Sequence, residues 1–130
     1  MLELGRTHQF IRTVAPGNTA NALKSGNLEV LATPVMIAWM EECCLECVRP
    51  ELEPGMTTVG TQVNVTHEAP TPVEGSVLIR CRLDEMEGRR LTFSVEASDS
   101  AGLIGRGIHE RFIVDGQRFQ AKCDRKRKPL

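Results

Sequence analysis

The sequence predicts an α+β domain in which one long helix is wrapped by an antiparallel sheet of about five strands. Thr33–Arg49 is long and apolar enough to form one buried helix. From Thr57 onward, apolar and polar side chains alternate with a period of two, which is typical of half-buried strands. Turn-forming residues separate these strands. Since 130 residues can bury a core without disulfides, we expect a single domain over residues 1–130.

The elements are predicted in a simple order. Thr7–Val14 has the pattern of a first strand, and Ala15–Glu29, rich in Gly, Asn and Ala, predicts a loop or a short helical lid. The strands after the helix are predicted at Thr57–His67, Ser76–Met86, Arg90–Ala97 and Leu103–Val114. We expect these strands to pair as a meander and to leave an apolar side uncovered, so a homodimer or a higher homo-oligomer is predicted.

The strand after the helix carries two residues of interest, Gly60 and His67. Its period of two places one set of side chains on one face: Val59, Thr61, Val63, Val65 and His67. Gly60 could bring the backbone close to a substrate, or it could mark a β-bulge. The strand ends at His67, because the prolines of the following Glu-Ala-Pro-Thr-Pro segment interrupt regular pairing.

Charge and hydropathy exclude several classes of protein. A net charge of −1 and a pI near 6.3 do not favour a nucleic-acid partner. The only basic cluster, Lys122–Lys128, is expected to belong to a solvated, frayed tail that begins at about residue 120. No segment predicts a membrane span, and the N-terminal residues lack the apolar core of a signal peptide. We therefore expect a cytoplasmic protein with no membrane partner.

The five cysteines suit a reducing compartment, and three of them, Cys43, Cys44 and Cys47, fall on the predicted helix. Redox CxxC pairs occur at the N-terminus of a helix, whereas Cys44-x-x-Cys47 falls late in this one. No second pair of cysteines or histidines has the spacing of zinc ligands. We interpret the thiols as small apolar packing groups, and we expect no metal site.

Glu41 is the least expected residue of the helix. Glu42, Glu46 and Arg49 form one solvated stripe, but Glu41 lies about 100° round the helix from Glu42. Its neighbours three and four residues away are apolar: Ile37, Ala38, Cys44 and Leu45. A carboxylate in such company is expected to be desolvated, and carboxylates of this kind are common at functional sites.

Thr33 and His67 complete a candidate catalytic set with Glu41. Thr33 precedes Glu41 by two helical turns, although its hydroxyl could instead cap the helix. His67 could equally be a structural residue that finds a hydrogen-bond partner. Together the three side chains offer a hydroxyl, a base or nucleophile, and a group that transfers protons near neutral pH. Hydrolysis of a carbonyl compound requires such a set, with a backbone N–H near the developing oxyanion.

Three ordered groups of motifs carry a resemblance to a known family: ATP…ME, VGT…VTH…TP and GRGIHER. Over about Leu28–Val114 the chain resembles bacterial thioesterases of the hotdog fold, and within them the fluoroacetyl-CoA thioesterase-like group. The resemblance implies a hotdog homodimer that binds acyl-CoA at the subunit interface. It implies no cofactor, because CoA is part of the substrate.

The resemblance also implies roles for individual residues. Thr33, Glu41 and His67 match the catalytic threonine, glutamate and histidine of the family, and Gly60 matches the glycine near the thioester carbonyl. Val59 and Arg111 are expected to bind substrate together with Gly60. Glu41 would attack the carbonyl or activate water, Thr33 would hydrogen-bond the carboxylate or the intermediate, and His67 would orient Glu41 or water.

The lid departs from the family. The fluoroacetate-specific enzyme is known for an aromatic segment before the central helix, whereas Ala15–Glu29 contains no aromatic residue. Fluoroacetyl selectivity therefore does not carry over, and the sequence predicts only a small acyl group. In addition, Pro34 after Thr33 removes one backbone N–H that could have stabilised an oxyanion.

The predicted function is hydrolysis of a small acyl-CoA thioester, and two alternatives remain. The first is a non-catalytic acyl-CoA-binding hotdog module, which would not need both Glu41 and His67. The second is a hotdog enoyl-thioester hydratase or dehydratase, which would place an aspartate a few residues from its histidine. No aspartate lies close to His67 in the sequence, which makes this second alternative the less favoured.

Overall fold

The computed structural model describes every residue from Met1 to Leu130. The helices are α1 (Ala20–Leu23), α2 (Thr33–Val48) and α3 (Gly116–Asp124), with short 3₁₀ helices at Pro16–Asn18 and Arg49–Glu51. The strands are β1 (Thr7–Thr13), β2 (Met56–His67), β3 (Ser76–Glu87), β4 (Arg90–Asp99) and β5 (Gly102–Asp115). All the predicted strands and the long helix are present, and the short helix α1 lies within the predicted lid.

The five strands form one antiparallel sheet in the order β1-β3-β4-β5-β2. The predicted meander is correct for β3, β4 and β5, but it is wrong for β2, which pairs with β5 at the far edge. The connection from Glu68 to Gly75 does not form a hairpin, because its two prolines lack the N–H groups that a ladder needs. It runs instead beside the segment before α2, where Leu31 N–H donates to the Thr71 carbonyl at 2.8 Å.

Helix α2 packs on one face of this sheet and forms the core with it. The buried stripe of the helix recurs at three- and four-residue intervals: Met36, Met40, Cys43, Cys44 and Cys47. The buried residues of β3 and β4 alternate as predicted: Val77, Ile79, Cys81, Leu83, Leu91, Phe93, Val95 and Ala97. Together with the buried residues of the connecting segments they make one continuous cluster.

The cysteines of α2 are packing groups, as predicted. Cys43, Cys44, Cys47 and Cys81 are buried free thiols, and Cys123 is exposed. Burial raises the pKa of the Cys44 thiol. A hydrogen bond with Cys81, together with burial, raises the pKa of Cys47. The thiols of Cys44 and Cys47 therefore stay protonated, which makes them poor nucleophiles.

A β-bulge divides β2 into two segments, and the set of alternate residues that faces α2 changes from one segment to the other. Gly60 pairs with Arg111 on β5, Gln62 pairs with Glu110, and the register shifts between Gly60 and Gln62. Before the bulge, Thr58 and Gly60 face α2; after it, Val65 and His67 do so. The prediction that Val59 to His67 share one face was therefore wrong, because the extra residue at the bulge exchanges the two faces of the strand.

Gly107 on β5 allows a close approach of the backbone of β2. A Cβ atom on Gly107 would overlap the Asn64 carbonyl oxygen and would lie 2.6 Å from the Val65 Cα atom. Because the backbone of a paired strand cannot easily move aside, we expect Gly107→Ala to lower the free energy of unfolding by about 1–3 kcal/mol. Urea titrations would measure this change.

The matched control for this substitution is Gly17→Ala. A Cβ atom on Gly17 would have no atom within 4 Å, so this variant is expected to unfold at nearly the wild-type urea concentration. Equal stability of the Gly107→Ala and Gly17→Ala variants would contradict the close approach of the two strands.

The C-terminal region is more ordered than expected. The frayed tail was predicted from about residue 120, but α3 continues to Asp124. Asp115 caps this helix, since its carboxylate accepts a hydrogen bond from the backbone N–H of Arg118 at 3.1 Å. Across the chain, no helix has both the length and the apolar character that crossing a bilayer requires.

Candidate active site

Thr33 is the first residue of α2, but its hydroxyl does not cap the helix. The N-cap position is occupied by Ala32, which makes no side-chain hydrogen bond to the first turn. Instead, the Oγ1 atom of Thr33 lies 2.7 Å from Nδ1 of His67. The capping alternative for Thr33 is therefore wrong, and the crossing of β2 below the start of α2 brings the predicted pair Thr33 and His67 together.

The second ring nitrogen of His67 is buried. Its Nε2 atom has no hydrogen-bond partner in the chain, although buried polar atoms normally have one. Burial lowers the pKa of His67, so the ring is neutral near pH 7. Thr33 and His67 line a cleft of about 290 Å³, with further walls from α1, the segment before α2 and Glu68–Pro70. A neutral imidazole has one donor and one acceptor nitrogen.

Glu41 lies on another part of α2, above β2 and β5. Its Oε2 atom is 3.7 Å from Nη1 of Arg111 and 4.0 Å from Nε2 of His109. A Cβ atom on Gly60 would lie only 2.7 Å from the same oxygen. Any side chain larger than hydrogen at Gly60 would therefore displace the carboxylate, and this glycine leaves room beside it.

The environment of Glu41 differs from the prediction. Its side chain is 41% exposed, and the neighbouring Ala38 is exposed as well. The prediction of a desolvated carboxylate was therefore wrong for the single chain. The physical reason is that the sheet covers α2 on one side only, and Glu41 falls at the boundary between the covered and the open side.

Arg111 and His109 form a buried polar pair below Glu41. The side chain of Arg111 is 7% exposed and that of His109 is 1% exposed. Arg111 Nε donates to the hydroxyl of Thr58 at 2.7 Å, and its Nη2 donates to the Thr58 carbonyl at 2.9 Å. Burial lowers the pKa of both side chains; for Arg111 the carboxylate of Glu41 partly opposes this effect. Arg111 nonetheless remains a cation, since arginine does not deprotonate in proteins.

The candidate residues thus form two groups within the chain. The first is Thr33 with His67, and the second is Glu41 with Gly60, His109 and Arg111. Thr33 and Glu41 are eight residues apart on α2, about 12 Å along the helix axis. The Glu41 carboxylate makes no hydrogen bond or ion pair with Thr33 or His67.

Val59 and Arg111 are the remaining residues that were predicted to bind substrate. Val59 lies between Thr58 and Gly60, so its side chain points to the opposite face of the sheet from Glu41. Its role as a substrate contact stays a prediction. Arg111, predicted to bind substrate, is buried and directs its donors to Thr58, His109 and Glu41 rather than to the surface.

His109 and Thr58 were not predicted as site residues. His109 could have been found from periodicity, because it alternates with Arg111 on the face of β5 that also carries Gly105 and Gly107. Thr58 carried no such signal, since its role depends on the side chain that packs against it from β5.

The sequence matches a known family over most of its length. Residues 14–117 match the family described as fluoroacetyl-CoA-specific thioesterase. The fluoroacetyl-CoA thioesterase of Streptantibioticus cattleyicolor is 38% identical over 126 residues, which cover 92% of this chain and 89% of that protein. The chain belongs to the fluoroacetyl-CoA-specific thioesterase family. It is therefore a thioester hydrolase, and the predicted enzyme class is confirmed.

Solved structures agree with this assignment. A solved structure of the fluoroacetyl-CoA thioesterase superposes with a TM-score of 0.93 at 35% identity, covering 99% of both chains. A thioesterase superfamily member from Thermus thermophilus superposes with a TM-score of 0.88 at 29% identity, covering 96% of this chain and 93% of that one. A hot-dog-like protein from Thermanaerovibrio acidaminovorans is 22% identical and shares the fold, with a TM-score of 0.87 over 99% and 96% of the two chains. The predicted hotdog fold is confirmed.

Proposed function

We propose that this thioesterase hydrolyses a small acyl-CoA thioester, with Glu41 acting at the thioester carbonyl. The observation that carries the proposal is the position of the Glu41 carboxylate over Gly60, where the missing side chain leaves room for the reacting carbonyl group. Arg111 supplies a fixed positive charge beside it, with Nη1 at 3.7 Å from the Oε2 atom of Glu41. An ionised, partly exposed carboxylate can act as a nucleophile or as a general base.

Glu41 could cleave the thioester by either of two routes. As a nucleophile, a Glu41 oxygen bonds to the carbonyl carbon, the C–S bond breaks, and the electron pair leaves with the CoA thiolate. Water then hydrolyses the resulting anhydride, which restores Glu41 and releases the acid. As a base, Glu41 takes a proton from a water molecule while the water oxygen bonds to the carbonyl carbon. The C–S bond then breaks, its electron pair leaves with the CoA thiolate, and Glu41 returns the proton to the solution. The CoA thiolate is a good leaving group, so its departure requires no strong general acid.

Thr33 and His67 are proposed to act on the same thioester from the side opposite Glu41. The hydrogen bond between Thr33 and Nδ1 of His67 fixes the orientation of the ring, and Nε2 is then directed away from Thr33. Nε2 can orient the attacking water or transfer a proton, because the neutral ring has both a donor and an acceptor nitrogen. This role requires Glu41 and His67 to face one substrate, which the single chain does not achieve.

A homodimer would bring the two groups together. β2 is an edge strand, and its central residues from Gly60 to Asn64 are exposed. Unpaired strand edges of this kind pair readily with another chain. Antiparallel pairing of two copies about a dyad near Val63 and Asn64 would place Gly60 level with the partner's His67. We propose that acyl-CoA binds at this interface, with Glu41 from one copy and the Thr33–His67 pair from the other.

The acyl group is proposed to be small and not restricted to fluoroacetyl. The cleft at Thr33 and His67 is bounded by α1, and the lid around α1 contains no aromatic side chain that could select for fluorine. Structures of point mutants of the related thioesterase contain acetyl-CoA in one case and fluoroacetate with CoA in another. We propose the cytoplasm as the compartment, which suits the buried free thiols.

A panel of acyl-CoA substrates tests the function. The panel contains fluoroacetyl, acetyl, branched short-chain and aromatic acyl groups, and release of the CoA thiol is measured with a thiol reagent. We expect turnover of at least one small acyl-CoA, and fluoroacetyl-CoA is not expected to exceed acetyl-CoA by a large factor.

Two other outcomes would overturn the proposal. Binding of acyl-CoA with no thiol release on the whole panel would favour the non-catalytic binding module. Conversion of an enoyl-CoA at its double bond, again with no thiol release, would favour the hydratase or dehydratase.

A further inference from the structure

A chain of buried contacts connects the bulge of β2 to the carboxylate of Glu41. The imidazole of His109 lies between two neighbours, with Nδ1 at 2.8 Å from the Gln62 carbonyl oxygen and Nε2 at 3.1 Å from Nη1 of Arg111. The same guanidinium nitrogen is 3.7 Å from Glu41. The catalytic roles proposed above for Glu41, Thr33 and His67 do not use His109.

The two neighbours determine which nitrogen of His109 carries the proton. A carbonyl oxygen only accepts hydrogen bonds, so Nδ1 must carry a hydrogen and donate it to Gln62. A guanidinium only donates, so Nε2 must be the acceptor for Arg111. A proton on Nε2 would face the N–H of Arg111 and would break this contact. His109 is therefore a neutral ring with a single tautomer, and burial disfavours its charged form.

The guanidinium of Arg111 is held from two sides. Thr58 accepts from Nε through its hydroxyl and from Nη2 through its carbonyl, while His109 accepts from Nη1. With these contacts made, the position of Nη1 relative to Gly60 is determined by β2 and β5 rather than by solvent. Glu41 is a long side chain on another element, and Nη1 of Arg111 is the cationic group nearest to its carboxylate.

We propose that His109 and Arg111 are positioning residues, which hold the Glu41 carboxylate over Gly60 in the orientation needed for attack on the thioester. This inference rests on the proposed function of Glu41. Arg111 acts on the carboxylate by charge and position, and His109 acts through Arg111. The bulge contributes because it turns Gly60 and the Gln62 carbonyl toward this cluster.

Two substitutions of His109 separate its contacts. In His109→Asn, the amide can still donate to Gln62, but no acceptor reaches Arg111. In His109→Gln, the longer side chain can place its carbonyl oxygen near the position of Nε2 and accept from Arg111. We expect kcat to fall by about 10- to 100-fold in His109→Asn with KM within about 3-fold of wild type, because misplacement of a reacting group by about 1 Å has effects of this size. In His109→Gln, kcat is expected to recover at least in part.

Two substitutions of Thr58 provide a second, independent test. Thr58→Val removes the acceptor of Arg111 Nε at nearly constant volume, whereas Thr58→Ser retains it. We expect a selective decrease of kcat in the valine variant and little decrease in the serine variant. The matched control is Thr92→Val, because Thr92 lies between the buried Leu91 and Phe93 and so points to the opposite face of the sheet. All variants are first compared by circular dichroism and urea unfolding.

The outcomes are distinguishable from a failure of the proposed function. If Glu41→Gln is inactive but His109→Asn has wild-type kcat, Glu41 keeps its role and the positioning proposal is overturned. If His109→Asn and His109→Gln lose activity equally, or if the loss follows KM or unfolding, the role of His109 is structural and the proposal is also overturned. If Glu41→Gln retains full activity, the proposed catalytic role of Glu41 is overturned, and the positioning proposal is overturned with it. A selective loss of kcat in His109→Asn and Thr58→Val, with recovery in the conservative partners, supports the proposal.

Discussion

Glu41→Gln is expected to lower kcat for acyl-CoA hydrolysis by at least about 10³-fold while the protein stays folded, because an amide can neither attack the carbonyl nor accept the proton of water. The side chain is half-exposed, and the glutamine oxygen can still lie beside Arg111. The substitution therefore removes the reactive charge with little change in packing. Thiol release under single-turnover conditions would measure the loss.

Glu42→Gln is the matched control for this prediction. Glu42 is the next residue of α2, and its carboxylate pairs with Arg12 across the surface between α2 and β1. A surface ion pair contributes about 0–1 kcal/mol, so the control should remain folded. It removes one negative charge from the same turn of the same helix, and wild-type activity is expected. Equal activity of the two variants would exclude Glu41 from the chemistry.

Glu41→Asp tests the position of the carboxylate rather than its charge. The side chain is shorter by one methylene, so the carboxylate withdraws from Gly60 and from Nη1 of Arg111. We expect a rate between those of wild type and Glu41→Gln. A rate equal to wild type would show that the distance to Gly60 does not matter, and it would weaken the case for precise placement of this group.

The sequence predicted the elements of the fold better than their arrangement. α2 and the strands are long periodic segments, and the burial of alternate residues produces that period directly. The pairing of β2 with β5 left no local signal, because a strand with one buried face looks the same beside either neighbour. The bulge after Gly60 was weighed as an alternative, but the pattern could not show which residue was the extra one.

The residues of the candidate site were likewise predicted better than their arrangement. Thr33, Glu41 and His67 were identified by their residue types together with the family resemblance, and Thr33 does contact His67. The sequence did not show that Glu41 would lie in a separate group, because the spacing along a helix gives no distance to a strand that crosses it. His109 was missed although it alternates with Arg111 on β5, because its other hydrogen-bond partner, the Gln62 carbonyl, lies on the neighbouring strand and far away in the sequence.

The separation of the two groups leads to the second large effect, which is complementation between inactive variants. If each active site takes Glu41 from one copy and His67 from the other, a dimer of one Glu41→Gln chain and one His67→Gln chain has one intact site and one site with both substitutions. When the two chains are present in equal amounts and mix at random, about half of the dimers are mixed, so about one quarter of the wild-type activity is expected from two inactive parents.

The chain offers a matched negative control for this experiment. Glu41 and His109 belong to the same group within one chain. A mixture of Glu41→Gln with His109→Asn should therefore gain no activity beyond the sum of its parents, because both sites of the mixed dimer carry a defect in that group. A mixture of Glu41→Gln with a Thr33 variant should behave like the mixture with His67→Gln, since Thr33 and His67 contact each other.

The chains are best combined by co-expression with two different affinity tags, followed by purification on both tags in succession, which isolates the mixed dimer. In that preparation about half of the wild-type activity is expected, because one of its two sites is intact. No activity in a pure, folded Glu41→Gln and His67→Gln dimer would show that the two residues do not meet across the interface. Glu41 and His67 would then have to meet within one chain, by a movement of α2 against β2 when the substrate binds.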